Sequence, residues 1–371
     1  MLLTNLVLFM AQQQDVGTGS VTFRLSALNR EDSIGDGKGN PFLDEDLLVV
    51  QPLIMVDYQL AADLHLTADL SFDRVSAASV SRIGGDTGRQ SGASGDFYVG
   101  LDTGLQYAAT DTRTYDYKLS LSSEYDYKSV GLGSGISQEF NQGNTKVSLR
   151  LDGYYDIVKM IHFNGFEEDA GETRTSLALT IKAYQMLTPN LHSEFGVTQT
   201  QQNGFLSTAY NSVWMREALV GEDELSPGVA TDELLPSSRS RTSVYGSLRQ
   251  AVGDSAAVQL SGRIYSDDWG VGGVSLEPRF YYDFGDGYVA RLRYRWYDQS
   301  AADYYSRDYF AQLPEFYTQD SDIGEFSSNT IGADFDWRTS DVTSWSTGVD
   351  LIQRSDNLDI YMVSFSFTYE F

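Results

Sequence analysis

From Tyr361 to the last residue, every second side chain is apolar. Tyr361, Val363, Phe365, Phe367, Tyr369 and Phe371 fall on one face, and Met362, Ser364, Ser366, Thr368 and Glu370 on the other. Successive residues of a strand point to opposite sides of its sheet, so this stretch reads as a strand with one greasy and one wet face. The pattern recurs upstream. Leu64, Leu66, Ala68, Leu70 and Phe72 alternate with polar residues, as do Phe97, Val99, Leu101, Leu105 and Tyr107, and then Val147, Leu149, Leu151 and Tyr155. Such segments begin near residues 20, 47, 62, 96, 113, 129, 144, 174, 190, 240, 255, 272, 288, 328, 343 and 359. That gives about sixteen strands, an even count, each near the length a tilted strand needs to cross a bilayer.

The connections sort by length. Every second one is a tight turn: QLAAD (59–63), ATDT (109–112), NQGN (141–144), LTPN (187–190), VGDS (252–255), FGDG (284–287) and TSDV (339–342). Several carry the Gly, Asn and Asp that tight turns demand. The others are mostly long and acidic, near 29–46, 74–95, 157–173, 202–239 and 300–326, with shorter ones near 127, 269 and 356. This parity predicts an all-β fold: a transmembrane, antiparallel, up-and-down β-barrel with short periplasmic turns and long acidic extracellular loops. Tyr155, Phe280, Tyr282, Tyr294, Trp296, Trp337 and Trp345 sit at strand ends on the apolar face, as interfacial aromatic girdles do. A single barrel domain is expected over 18–371. Residues 1–12, within MLLTNLVLFMAQQQ, read as a signal peptide that has lost its basic start. The closing aromatic alternation, ending in Tyr369 and Phe371, resembles the signal by which barrel-assembly machinery recognises its substrates. Expected surroundings are therefore outer-membrane lipid and lipopolysaccharide of a Gram-negative bacterium.

Composition narrows the function. The chain has no Cys, which excludes disulfides, thiolate metal sites and thiol nucleophiles, and a net charge of −26, which argues against nucleic-acid binding. The three histidines, His65, His162 and His192, lie on different elements, and no nucleophile elbow, paired-histidine metal motif or phosphate loop occurs. No enzyme activity, cofactor or metal is expected. His65 reads as a satisfied luminal histidine between Asp63 and Asp69.

Three stretches carry a resemblance to a family. YSDDWGVGG (265–273) is followed by PRFYYDF and then RYRWYDQSAADYY (293–305); LTPN is followed by NGFLSTAYNSV (203–213); DRVSAAS spans 73–79. In order and spacing these resemble an uncharacterised outer-membrane family, domain of unknown function 3570, over nearly the whole chain after residue 12. Ala209 departs from the Pro expected before the following Tyr, which affects the shape of that loop. The resemblance implies an outer-membrane barrel, no settled activity, and association with a small lipoprotein or redox partner.

With the apolar positions toward lipid, the alternate ones line the lumen. Predicted strands ten to thirteen place Arg249, Arg263, Arg279, Arg291, Arg293 and Arg295 there, with Glu277 and Asp283 among them. Predicted strands two to five place Asp57, Asp63, Asp69, Asp73, Asp102, Asp116 and Glu124 there, against Lys118. In a sixteen-strand barrel these walls face one another, giving a transverse field suited to a pore for small hydrophilic solutes or ions. The same charges also suit cross-strand ladders that neutralise one another, and Tyr265, Tyr281 and Tyr297 are placed to narrow the bore. Asp267, Asp268, Trp269, Gln299, Asp303, Tyr304 and Tyr305 gather where predicted strands eleven to thirteen reach the outer side. They suit either a site for a sugar or cation or a folded loop cap that secures itself. The remaining acidic clusters, Asp32 with 44–46, 167–169, 222–224, and Asp320, Asp322 and Glu325, read as solvated charge bridged to lipopolysaccharide by divalent cations. Beside the pore stands a second reading, a barrel scaffold or conduit that holds a lipoprotein or redox partner.

Overall fold

The computed structural model describes residues 15–33, 38–75, 80–81, 97–163, 166–209, 211–215 and 229–371. The expected leader at 1–12, the acidic run 222–224 and most of the DRVSAAS segment lie outside the described residues.

Sixteen strands close into one antiparallel ring in chain order. They are β1 (Gly19–Asp32), β2 (Leu47–Ala61), β3 (Leu64–Val75), β4 (Phe97–Thr110), β5 (Arg113–Ser123), β6 (Tyr127–Phe140), β7 (Thr145–Ile161) and β8 (Glu167–Thr188) in the first half. The second half comprises β9 (Leu191–Gly204), β10 (Ser238–Val252), β11 (Ala256–Asp267), β12 (Gly272–Gly285), β13 (Tyr288–Gln299), β14 (Phe326–Ser340), β15 (Thr343–Arg354) and β16 (Leu358–Glu370). All but one start within two residues of the sequence expectation. The last strand closes on the first, from Ser20 opposite Glu370 to Asp32 opposite Leu358. Phe371 and Gly19 exchange both backbone hydrogen bonds at 2.9 Å, and the Phe371 ring stacks near Tyr58 and Tyr369. Closure leaves no strand edge for lipid to meet, the condition for spanning a bilayer with strands.

The exception is β8, expected near 174 and beginning at Glu167. The stretch read as a loop at 157–173 is mostly strand: β7 and β8 run on past their neighbours as a two-stranded hairpin, with a register shift between Glu167 and Gly171. Two small ribbons lie in the long loops, residues 43–44 with 80–81, and Ser212–Met215 with Val229–Asp232.

The outward face is the one the alternation predicts. Phe23, Leu25, Leu132, Leu151, Leu177, Leu292 and Ile331 are exposed from the protein itself and are covered only by hydrocarbon. Toward the short-turn end this face carries a run of touching aromatic rings, Tyr288, Phe335, Trp337, Trp345, Phe365 and Phe367. Trp337 and Trp345 are direct cross-strand partners, their rings 11° from parallel. Much of what is buried lies elsewhere, in the loops at the other end: Phe42, Val213, Trp214, Leu235, Trp269 and Ala302.

Candidate functional site

The site is the lumen and the loop cap at its long-loop mouth. The cap has its own small core, where Phe42 of the β1–β2 loop packs on Trp214 of the β9–β10 loop, with Ala230 and Tyr309 against them. Tyr309, from the β13–β14 loop, meets the Phe42 ring edge-on at 5.0 Å. Backbone and side-chain bonds stitch the same loops. Trp214 donates from its amide to Gln319 Oε1 (2.8 Å), Phe310 donates to the Trp214 carbonyl (3.1 Å), and Arg307 reaches the Gly39 carbonyl (2.9 Å). In the ring the β1–β2 and β9–β10 loops are rooted eight strands apart, at opposite points of the rim, with the β13–β14 loop midway between. Loops from opposite rim points meet, so the cap bridges the mouth.

Carboxylates sit at its seams. Ser321 Oγ donates to both oxygens of Glu45 (2.9 Å each), with Arg30 of β1 at 3.7 Å. Burial pushes the Glu45 carboxyl up to about 7. Glu233 accepts from the Thr208 amide (2.7 Å), Thr318 Oγ1 (2.5 Å) and Asn211 (3.4 Å); burial, then Asp320, pushes it up to about 7. Asp320 accepts from Asn211 (3.3 Å) and is raised to about 6 by burial and by Asp322. Part of the charge read from sequence as solvated is therefore inside, since Glu45 is nearly fully buried, and so is Glu233, which that reading did not include. Glu233 escaped notice because its neighbours, Leu234 and Leu235, look like any short apolar run in a loop.

The DDWG and QSAADYY residues form the cap's footing. Asp267 accepts from Arg239 (2.5 Å), Tyr265 (2.7 Å), and the amides of Trp269 and Val271 (3.0 Å each). Asp268 accepts from the Ser240 amide (2.9 Å). The buried Trp269 donates to the Ser238 carbonyl (2.9 Å) and carries the Arg239 guanidinium over its ring at 4.2 Å. Gln299 donates to the Gly324 and Asp322 carbonyls (2.6 and 3.1 Å), and Asp303 donates from its amide to the Trp269 carbonyl (2.8 Å). Tyr304 packs edge-on to Trp269, and the Tyr305 ring lies against Gly324. Gly270, at φ +88°, is required: a Cβ there would stand 2.5 Å from the Asp303 carboxylate. The side-chain polar groups of Asp267, Asp268, Trp269 and Gln299 are taken up by neighbouring side chains and by backbone, as a loop cap that secures itself would have them.

In the bore, the arginine side is less uniformly basic than expected. Arg279 pairs with Glu277, Arg291 with Asp336 (2.6 Å) and Arg293 with Asp350. Those acids come from β12, β14 and β15, the last two outside the strands read as the basic wall. Among the described residues no carboxylate pairs with the other three. Arg249 lies on the Tyr281 ring (4.1 Å), close enough to Arg279 and Arg291 to be repelled by both. Arg263 donates to Ser243 (2.6 Å), and Arg295 lies over Tyr297 (5.2 Å). Arg24 of β1, unnoticed in the sequence, likewise donates to a hydroxyl, Ser366 (3.1 Å).

The acidic side needs three corrections. Asp63 lies in the exposed short turn after β2, one residue before β3 restarts the alternation, and is not on the wall. Glu124 follows β5 at the rim, beside Asp73 and Asp126, where burial pushes it up to about 7. His65 is held by Asp57 (2.8 Å), its neighbour on β2, rather than by Asp63 and Asp69. Asp69 stands opposite Asp102, which pairs with Lys118 (3.0 Å), while Asp116 pairs with Arg150 of β7. His162 and His192 have separate partners, Asp232 with Glu168, and Tyr184.

A family model described as "Protein of unknown function (DUF3570)" matches residues 90–363. The chain belongs to the DUF3570 family. No curated protein matches it. This DUF3570 protein is similar to a bacterial polysaccharide outer membrane secretin, with TM-score 0.52 and 9% identity, covering 95% of this chain and 98% of that one. Further similar structures are a BenF-like porin from Pseudomonas fluorescens Pf-5 (TM-score 0.48, 9% identity, 96% and 99% covered) and the CymD monoaromatic hydrocarbon channel (0.46, 10%, 97% and 90%). The fold is that of outer-membrane barrels and porins.

Proposed function

We propose that this DUF3570 protein is an outer-membrane channel of a Gram-negative bacterium for small hydrophilic solutes or ions, with its capped mouth outward. The carrying observation is a closed ring of sixteen strands whose inner face bears charged and hydroxyl side chains. A ring that wide encloses an aqueous space. The arginines without carboxylate partners, Arg249, Arg263 and Arg295, lie across the ring from Asp57, Asp69 and Asp102, which favours a lumen polarised from side to side. The reading includes no catalytic chemistry and no cofactor; the three histidines stand on β3, in the β7–β8 connection and at the start of β9, each with its own partner.

Single-channel conductance of the refolded protein in a planar bilayer tests this: stable steps are expected. Replacing Arg249 and Arg263 with Ala removes cations without freeing a carboxylate. It is expected to lower anion-over-cation permeability roughly fivefold, the factor given by about 1 kcal/mol of lost attraction at 4 Å in water. Unchanged reversal potentials would count against a solvent-facing arginine wall. The bridged mouth favours one second reading, a barrel that holds a small lipoprotein or redox partner. A stoichiometric partner co-purifying with a barrel that never conducts would favour it.

A further inference from the structure

The cap joins loops rooted at opposite rim points, and its seams hold more carboxylates than cations. Around the joint between the β1–β2 and β13–β14 loops stand Glu45, Asp320, Asp322 and Asp356, against Arg30 and Arg354, with Tyr305 alongside. Arg354 is engaged by Asp322 (2.7 Å) and Asp356 (2.6 Å), so Arg30 faces Glu45 and shares Asp320 with an Arg354 already held by two other carboxylates. Around the joint between the β9–β10 and β13–β14 loops, Glu233 faces Asp320 and, among the described residues, is bonded by the neutral donors Thr208, Thr318 and Asn211. Two carboxylates in a shielded seam cannot both ionise cheaply. At a third point His162, in the β7–β8 connection, holds Asp232 of the β9–β10 loop (2.5 Å) and Glu168 (2.9 Å), an arrangement strongest when the imidazole is charged.

We propose that the cap is a pH-operated gate, fastened across the outer mouth in acid and released as the surroundings turn neutral to alkaline. This rests on the channel reading for its consequence, though not for the motion itself. All four groups act in one direction. Glu45, Glu233 and Asp320 are raised by burial, so they add stability to the closed cap at acidic pH, and that stability is lost as pH rises through about 6 to 7. His162 is raised by Asp232 and Glu168, so its latch too holds below the ordinary histidine range and is lost as pH rises through the elevated value.

The test uses the full chain, which has no native Cys. Ser123→Cys at the outer end of β5 and Ala311→Cys on the cap place a spin-label pair across the mouth, both sites being exposed. Label separation and conductance are read together at about pH 5.5 and about pH 8.5. Across that window, a carboxyl raised from 4.5 to about 7 in the closed cap changes the open-to-closed ratio by at least roughly tenfold. Both should rise with pH, and Glu45→Gln with Glu233→Gln should keep separation short and current low at the higher pH. His162→Gln, which leaves the carboxylates in place, should release at lower pH than the parent. A separation that rises with pH in a silent barrel supports the gate and sinks the channel reading. Steps of equal size at both pH values with constant separation overturn the gate and leave the channel. A Gln variant that responds to pH as the parent does overturns the role of these carboxylates.

Discussion

Asp267 shows how much of the outer rim hangs on one residue. Its side chain is fully enclosed and accepts from Arg239, Tyr265 and two backbone amides of the turn that follows. Removing a single partner of a buried ion pair leaves the other uncompensated, at a cost of about 3–5 kcal/mol. Arg239→Ala should therefore lower the urea midpoint of the refolded barrel markedly, and Arg239→Ala with Asp267→Ala should recover part of the loss. A double variant no better than the single one would mean that Asp267 works through the amides alone. The sequence makes DDWG conspicuous as a motif and gives no hint of this role, because the partner cation sits 28 residues away on the neighbouring strand.

At the scale of elements, strand positions were legible wherever a lipid face forces alternation. Inside the bilayer one face must be apolar, so the period survives turn after turn. Beyond the bilayer that pressure ends: the outer part of the β7–β8 hairpin has water on both faces, and the acidic EEDAGE at its tip carries no period to read. There the order comes from cross-strand pairing and from Lys159, which meets both Glu167 and the Tyr125 hydroxyl (2.9 Å). Trypsin should accordingly cut after Lys38, in the exposed β1–β2 loop, at least about tenfold faster than after Lys159, since cleavage requires local opening. Equal rates would return 157–173 to the status of a loop. The lumen was half legible for a related reason. Alternation tells which residues point inward, whereas ion pairing depends on register with the next strand: Arg291 and Arg293 found Asp336 and Asp350 on strands outside the stretch read as the basic wall.

For the whole molecule, the closed ring and its parity follow from a local period repeated sixteen times. The cap does not, since Phe42 and Trp214 are far apart in sequence and rooted on opposite sides of the ring. The two layers should be separable. Trp214→Ala, a large-to-small change in the cap core, is expected to cost the cap about 3–5 kcal/mol. The barrel itself should keep its heat-modifiable gel mobility, because its backbone ladder is untouched. Loss of that mobility at ordinary temperature would show that the ring depends on the cap to hold together.

A closed sheet is a thin hoop, and a thin hoop resists stretching far better than it resists being squashed into an ellipse. A member fastened between opposite points of such a hoop works like a tie beam, fixing one diameter while the perpendicular one stays free to breathe. While fastened, the loops rooted beside β1 and β9 would thus set the shape of the opening as well as cover it, and unfastening them would let lateral pressure from the membrane reach the bore.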